Sequence, residues 1–403
     1  MSRALIIGGG IAGPVAAMAL QKAGWEPVVY EAHAQTSAEV GSYLTVASNG
    51  LDALRAVGAE RTVLEAGFPT PANVLLSSGG RRLGTVSNGG RLADGTAAHT
   101  IKRARLFAGL YQEAAGRGVP FEFGKRLTAA EGAPDGGVVA QFADGTSAAG
   151  DVLVGADGMR SATRALIDPG APAPRYVGLV NFGGYTPGMA VADPGAWHMV
   201  FGKRAFFGYV TDPSGGTVWF ANVPRGETTR AERAATTNED WQQQLLALFD
   251  GDHGPATRLI KAGRLEFTGD NTYDLATVPV WRNDRMVIIG DAAHAPSPTS
   301  GQGASLAAED AVLLGKALRD QPSVPAALAI YEQLRRDRVQ KIVAEAAQAS
   351  SDKAPGPVGR ALQGIVLPLV FRFLVTDKSL AWRYDHHIDW AEPVGAEAPD
   401  RTR

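Results

Sequence analysis

Ala4-Leu5-Ile6-Ile7-Gly8-Gly9-Gly10-Ile11-Ala12-Gly13 opens the chain with an apolar run that breaks into glycines and resumes as a small-residue stretch to Ala23. Read as structure, Ala4 to Gly8 is a buried strand, Ile11 to Ala23 a helix, and Pro27 to Glu31 a second buried strand. The glycines have separate tasks. Gly8 permits the tight turn, Gly10 lets backbone approach a pyrophosphate, and Gly13 lets helix and strand pack closely. Glu31 closes the second strand 18 residues after Gly13, where a carboxylate accepts a bond from a ribose hydroxyl. The pattern predicts a dinucleotide site at a helix N-terminus, and the free carboxylate favours FAD or NAD over NADP in that pocket.

Composition narrows the function classes. At 403 residues the chain exceeds a single small module, and 45% hydrophobic with 20% charged residues is globular composition. A formal charge of -2 supplies no field to attract nucleic acid or anionic lipid. With no cysteine, disulfides, thiolate metal sites and cysteine nucleophiles are excluded. Gly8 to Gly13 and Pro14 interrupt the N-terminal apolar run, which argues against a signal segment. Ile365 to Phe371 is far too short to span a bilayer. The expectation is a cytoplasmic protein without membrane or nucleic-acid partners, as monomer or homodimer.

Further along, Val74 to Ser77 and Leu83 to Val86 read as a hairpin, Arg103 to Ala115 as a helix, and Val138 to Phe142 as a strand before the Asp144-Gly145 turn. From Tyr176 to about Phe267, short aromatic-rich strands alternate with Gly and Pro turns, which predicts an antiparallel sheet. Met286 to Gly290 returns to a buried strand, and helices are predicted over Ala304 to Arg319 and Pro325 to Ala349. Ser350 to Gly359 reads as a hinge, Arg360 to Leu374 as an amphipathic helix covering an entrance or a dimer surface, and the chain beyond Pro393 as a disordered tail.

Two more segments carry chemistry. Gly155-Ala156-Asp157-Gly158 is followed by Arg160, Ser161 and Arg164. Gly290-Asp291-Ala292-Ala293-His294 continues through Pro298 to Gly301-Gln302-Gly303-Ala304-Ser305. In the latter, a strand delivers an aspartate into a glycine loop that opens a helix, so a carboxylate meets free backbone N–H groups, an arrangement suited to a polyol chain and an electron-rich ring edge. Taken singly, Asp157-Gly158 also reads as a turn and Asp291 as a helix cap.

Together the three segments resemble the FAD-dependent aromatic hydroxylases, single-component flavoprotein monooxygenases of the p-hydroxybenzoate hydroxylase type, over roughly residues 3 to 345. The resemblance implies an α/β fold: a Rossmann-like FAD-binding domain with an inserted antiparallel β-sheet substrate domain and a C-terminal helical segment. The expected boundaries are 1–72, 97–175 and 280–350 for the first, 73–96 and 176–279 for the second, and 351–403 for the last. It further implies that Gly8, Gly10, Gly13 and Glu31 bind the ADP half of FAD, that Asp157 and Gly158 serve FAD and nicotinamide binding, and that Gly290 and Asp291 hold the ribityl chain. Arg103, with Leu106, falls on an FAD-contacting pattern. Pro298, Gly301, Gln302, Gly303 and Ala304 match the stretch against the isoalloxazine ring, and Gly41 to Leu44 the loop on its other side. NADPH or NADH would reduce the flavin, and a C4a-hydroperoxide formed with O2 would pass one oxygen atom to an aromatic or polyketide-like small molecule. Epoxidation, Baeyer-Villiger insertion and a flavin-binding redox sensor without turnover remain alternatives. Two departures stand out: Ser305 replaces a common Asn, and Asn181-Phe182-Gly183-Gly184 replaces an aromatic-Arg-Gly pattern.

For the substrate pocket, His198 and Tyr209 are the candidates, with Tyr185 beside them; each also reads as a packed core residue. Phe182, Phe201, Phe207, Trp219 and Phe220 fit an apolar wall, although strand alternation sends about half of them to the other face. His294 would orient Asp291 or pack beneath the flavin loop. Asp385-His386-His387-Ile388-Asp389 lacks metal-ligand spacing, and no metal is expected.

Overall fold

The glycine-interrupted opening folds as strand, turn and helix. In the computed structural model, which describes residues 1–34, 42–133, 136–351 and 377–395, elements are numbered in chain order. A parallel sheet has the order β18 (Met286–Ile288), β12 (Val152–Gly155), β1 (Arg3–Ile7), β2 (Glu26–Glu31), β8 (Phe121–Phe123). Successive residues of β1 point to opposite faces, and both faces are covered. Ala4 and Ile6 join the core beneath the helices, while Leu5 and Ile7 pack on a three-stranded antiparallel sheet, β9 (Leu127–Gly132), β10 (Val138–Phe142) and β11 (Ser147–Gly150).

The helices are α1 (Ala12–Lys22), α2 (Ser48–Ala56), α3 (Arg61–Ala66), α4 (Arg103–Gly116), α5 (Ala162–Ile167), α6 (Arg230–Ala235), α7 (Asn238–Phe249), α8 (Ala256–Ala262), α9 (Gly303–Asp320), α10 (Val324–Ser351) and α11 (Asp377–Tyr384). Helices α1 and α9 cross so closely that a Cβ on Gly315 would sit 2.8 Å from that of Ala19. Small residues set this approach.

The second large sheet has seven strands in the order β17 (Arg264–Asp274), β13 (Arg175–Thr186), β16 (Thr217–Pro224), β15 (Phe206–Thr211), β14 (Ala196–Phe201), β5 (Ala72–Ser77), β6 (Arg82–Ser87). The expected hairpin at 74–86 forms and joins this sheet, through parallel pairing of β5 with β14. A small sheet of β3 (Tyr43–Val46), β7 (His99–Lys102) and β4 (Phe68–Pro69) sends Val46 and Ile101 into the helix-covered core and Tyr43 and Phe68 against the seven-stranded sheet, to which it is tied by Trp197 Nε1, which donates to Thr100 Oγ1 at 2.8 Å.

The stretch 176–267 is less purely strand than its composition suggests, because α6, α7 and α8 lie within it. The cause is local: Thr237 and Asp240 form a reciprocal capping box that starts α7, and Trp241, Leu245 and Phe249 then bury one helical face. Gly41, the hinge and helix expected beyond Ser351 up to Leu374, and the tail past Gly395 lie outside the described residues.

Candidate active site

At the glycine turn, three backbones meet. Gly8 adopts φ +107°, and a Cβ there would lie 2.4 Å from Ala156 O; only glycine fits. A Cβ on Gly13 would lie 1.9 Å from Gly8 O, whereas one on Gly10 would meet nothing within 4 Å. Gly10 therefore faces open space in front of α1, as a group bound at the helix N-terminus requires. Gly9 N–H donates to Glu31 Oε2 at 2.7 Å, and His33 N–H to Glu31 Oε1 at 2.8 Å. Burial alone would raise the Glu31 pKa, but the His33 and Gly9 N–H groups and the His33 ring outweigh it and hold the carboxyl below its ordinary range.

Asp157 abuts Gly8 from β12. Its carboxylate accepts from Ser161 Oγ, from Thr163 N–H at 3.0 Å and from Thr163 Oγ1 at 3.1 Å. It thus organises the start of α5, while Gly158 takes φ +76°. Arg164 then donates to Ala292 O at 3.0 Å and to Met159 O at 2.7 Å. The second sequence segment is thereby fastened to the third.

In the third segment Gly290, at φ +58°, opens a 3-10 turn over Gly290–Ala292, and a Cβ on it would lie 3.2 Å from that of Ala12. The Asp291 carboxylate has no hydrogen-bond donor among the described residues. Burial raises its pKa, against the opposing charges of His294 and Arg103. The side chain is only partly buried, and a carboxylate without a donor there can accept from hydroxyls of a bound molecule. Gln302 is buried, Gly301 takes φ +61°, and α9 begins at Gly303 without a side-chain cap, leaving the N–H groups of Gly303, Ala304 and Ser305 without helical acceptors. Pro298 is exposed. Arg103 is also exposed, its guanidinium 5.1 Å from the centre of the Phe107 ring. The open glycine cradle, the unpartnered carboxylate and the free helix N-terminus fit a pyrophosphate, a polyol and an electron-rich ring edge respectively. This donor and acceptor set matches FAD.

The seven-stranded sheet has two different faces. Phe182, Phe207, Tyr209 and Trp219 form a core with Trp241, Leu245 and Phe249 of α7 and Leu259 of α8. His198 stacks on Tyr209, ring centres 4.9 Å apart. His198 and Tyr209 share the sheet face that packs against α7 and α8, with Tyr209 inside that core. Desolvation lowers the His198 pKa and raises that of Tyr209. On the opposite face Trp197, Met199, Phe220 and Tyr185 pack with Tyr43 and Phe68 of the small sheet. Two aromatic rings lie over cross-strand glycines on this face: a Cβ on Gly183 would fall 2.1 Å from the Phe267 ring, and one on Gly208 2.2 Å from that of Phe220. Lys102, next to Arg103, pairs with Glu266 of β17 at 3.0 Å, which ties β17 to the start of α4. Tyr185 donates to Asp212 at 2.9 Å.

His294 does not bond Asp291; its Nε2 lies 2.6 Å from Asp310 Oδ2. His387 pairs with Asp52 at 2.8 Å, while His386 is held neutral by burial, its pKa down to about 4. Sequence reasoning missed the buried polar group of Asn49, Glu309, Asp310 and Arg335. The signal was available: Glu309 and Asp310 interrupt the otherwise small and apolar run Leu306 to Leu314.

Residues 1–346 match the family model described as FAD binding domain. The chain belongs to the FAD-dependent aromatic monooxygenases. Its relatives include aurachin C monooxygenase/isomerase of Stigmatella aurantiaca, 32% identical over 84% of this chain and 86% of that one. The FAD-dependent urate hydroxylase of Klebsiella pneumoniae is 30% identical over 85% and 88%. Among solved structures, Klebsiella pneumoniae HpxO complexed with FAD and uric acid superposes with a TM-score of 0.79 at 27% identity, covering 95% of each chain. This monooxygenase thus shares fold and cofactor with these proteins, and no helix among its described residues is long and apolar enough to cross a membrane.

Proposed function

We propose that this monooxygenase uses NADPH or NADH and O2 to hydroxylate a flat aromatic small molecule, with oxo- or hydroxy-substituted nitrogen heterocycles as the first class to try. The observation that carries this reading is the sheet face bearing Phe267 and Phe220, whose rings rest on Gly183 and Gly208. Such flat apolar surface suits stacking of a planar ring. Relatives named for urate, a 4(1H)-quinolone and 6-hydroxynicotinate support the heterocyclic class. A nicotinamide electron donor is consistent with a cytoplasmic enzyme.

In this reading Gly10 would admit the FAD pyrophosphate to the α1 N-terminus, while Gly8 and Gly13 hold the turn and helix close enough to form that cradle, and Glu31 would take the ribose. Asp291 accepts from the ribityl hydroxyls, with Arg103 close enough to feel its charge. Gly290 shapes that turn, and Asp157 and Gly158 brace the glycine turn from β12. Pro298, Gly301, Gln302 and Gly303 would border the flavin ring, and the free N–H groups of Gly303 and Ala304 at the α9 N-terminus would supply donors to its electron-rich edge. Bound FAD supplies the redox chemistry; the protein supplies orientation and a water-poor crevice against the sheet.

The test is the visible spectrum of the purified protein before and after anaerobic NADPH, with a panel of aromatic compounds. A yellow protein bleached faster by one heterocycle is the expected result. Bleaching that no aromatic compound accelerates would remove the substrate assignment, and a protein that stays colourless with added FAD would remove the site.

A further inference from the structure

The two loops assigned to the flavin are anchored to one buried polar cluster. Asp310, fully buried on α9, receives the Gly290 N–H on Oδ2 at 2.8 Å and lies 2.6 Å from His294 Nε2, so one oxygen grips both ends of the turn that contains Asp291. Its other oxygen accepts from Arg335 Nε at 2.7 Å. Glu309, its neighbour, accepts from Arg335 Nη1 at 2.6 Å and from Arg338 Nε at 3.0 Å. The cluster reaches the second loop through α2: Asn49 Nδ2 donates to Glu309 Oε1 and, at 3.0 Å, to Gln302 Oε1.

Close packing fixes where Asn49 stands. Ala47 N–H donates to Ser305 Oγ at 3.1 Å, and a Cβ on Gly50 would lie 2.5 Å from that oxygen. A side chain longer than serine at 305 would push α2 away, so the departure at Ser305 and the amide supplied by Asn49 belong to one arrangement. Stability alone is a weak reason for such a cluster, since buried ion pairs contribute little relative to apolar packing of equal volume. Its arms end on the loops that border the cofactor.

We propose that Asp310 and Asn49 are positioning residues of the flavin site, Asp310 setting the turn that presents Asp291 and Asn49 setting the amide of Gln302, with the Arg335–Glu309 pair holding both. This rests on the FAD placement above. Neither residue touches the glycine cradle, so the two should affect the flavin half of the cofactor and leave the ADP half alone.

The experiment titrates FAD and, separately, ADP onto the apoprotein of the full chain, wild type and Asn49→Ala, Asp310→Asn and Gln302→Ala. The expected result is an FAD Kd raised about tenfold in Asn49→Ala and more in Asp310→Asn, with ADP affinity within about twofold of wild type. The Asn49→Ala effect should largely vanish in a Gln302→Ala background, because the two side chains act as one unit. A shifted absorption band of the bound flavin should accompany it. FAD affinity unchanged in Asn49→Ala, or FAD and ADP weakened together, overturns the proposal, and this variant decides the matter if Asp310→Asn does not fold. Failure of the wild type to bind FAD would instead remove the placement on which the proposal stands.

Discussion

The Glu31 carboxylate folds back onto the turn that precedes it by a helix, Oε2 lying 2.7 Å from the Gly9 nitrogen. A side chain expected to serve only a ribose hydroxyl therefore also ties β2 to the glycine turn. Glu31→Gln exchanges a charged acceptor for a neutral one and should weaken ADP and FAD binding alike, by roughly tenfold. Because the folded-state pKa of Glu31 is depressed below 4.5, its contribution is complete above that pH and is lost as pH falls through the depressed value. Melting curves of wild type and variant from pH 6 down to 3 check the pH dependence, and an unchanged ADP Kd in the variant at pH 7 would contradict the binding role.

Gly10 and Gly13 separate cofactor approach from chain packing. Gly13→Ala puts a methyl 1.9 Å from Gly8 O and should destabilise the protein by about 2 kcal/mol or more. Gly10→Ala meets open space and should leave Tm nearly unchanged while weakening FAD at least about tenfold by blocking the pyrophosphate. Thermal melts without cofactor and FAD titrations of both variants resolve the two effects.

Asp291 is a carboxylate kept for a ligand. Asp291→Ala removes an unpartnered, half-buried acid, so the apoprotein should melt at nearly the same or a higher temperature at pH 7, while FAD affinity falls by about 2 to 3 kcal/mol. Since its folded pKa is raised above 3.8, the wild-type apoprotein loses this part of its stability as pH rises through the raised value, and the variant should not. Retention of full flavin content by the purified variant would contradict the assignment.

The buried acids of α9 have the opposite sign. Burial would raise both pKa values, but Arg335 and Arg338 beside Glu309, and His294 and Arg335 beside Asp310, hold each down to about 2. Their stabilisation is complete above pH 4.5 and is lost as pH falls toward 2. Glu309→Gln should cost about 3 to 5 kcal/mol at pH 7, with the gap to wild type closing between pH 4 and 2. Melting temperature followed over that range tests it.

Gly183 carries the Phe267 ring on the sheet face that also bears Phe220. Gly183→Ala should tip that ring off the sheet, raising KM several-fold for whichever compound speeds flavin reduction, with FAD affinity unchanged. Equal loss at both sites would mean that the sheet, not its surface, had been damaged.

Much of this architecture was readable before any coordinates. The Gly8 to Gly13 turn, Glu31 and the Gly290 to Ser305 loop announced themselves because their backbone requirements admit few residue types. The face shared by His198 and Tyr209 was not legible, because alternation divides a strand's residues between two faces without saying which face meets a helix; α7 and α8 decide it. The helices themselves hid within aromatic-rich composition, although Thr237 and Asp240 signalled α7. Asn49, Asp310 and Arg335 come from three separate helices, and their meeting is a tertiary event that spacing along the chain does not encode.

The crossing of α1 with α9 also bears on how the chain is made. Val15, Ala16, Ala19 and Leu20 lie wholly inside the structure, beneath a helix that begins at Gly303. During synthesis at about 5 to 20 residues per second, that face waits roughly 15 to 60 s for its cover, while the entire seven-stranded sheet is translated in between. A nascent chain of this monooxygenase therefore exposes an apolar helix face until α9 has been made, and its yield should respond to chaperone supply and to the rate of translation.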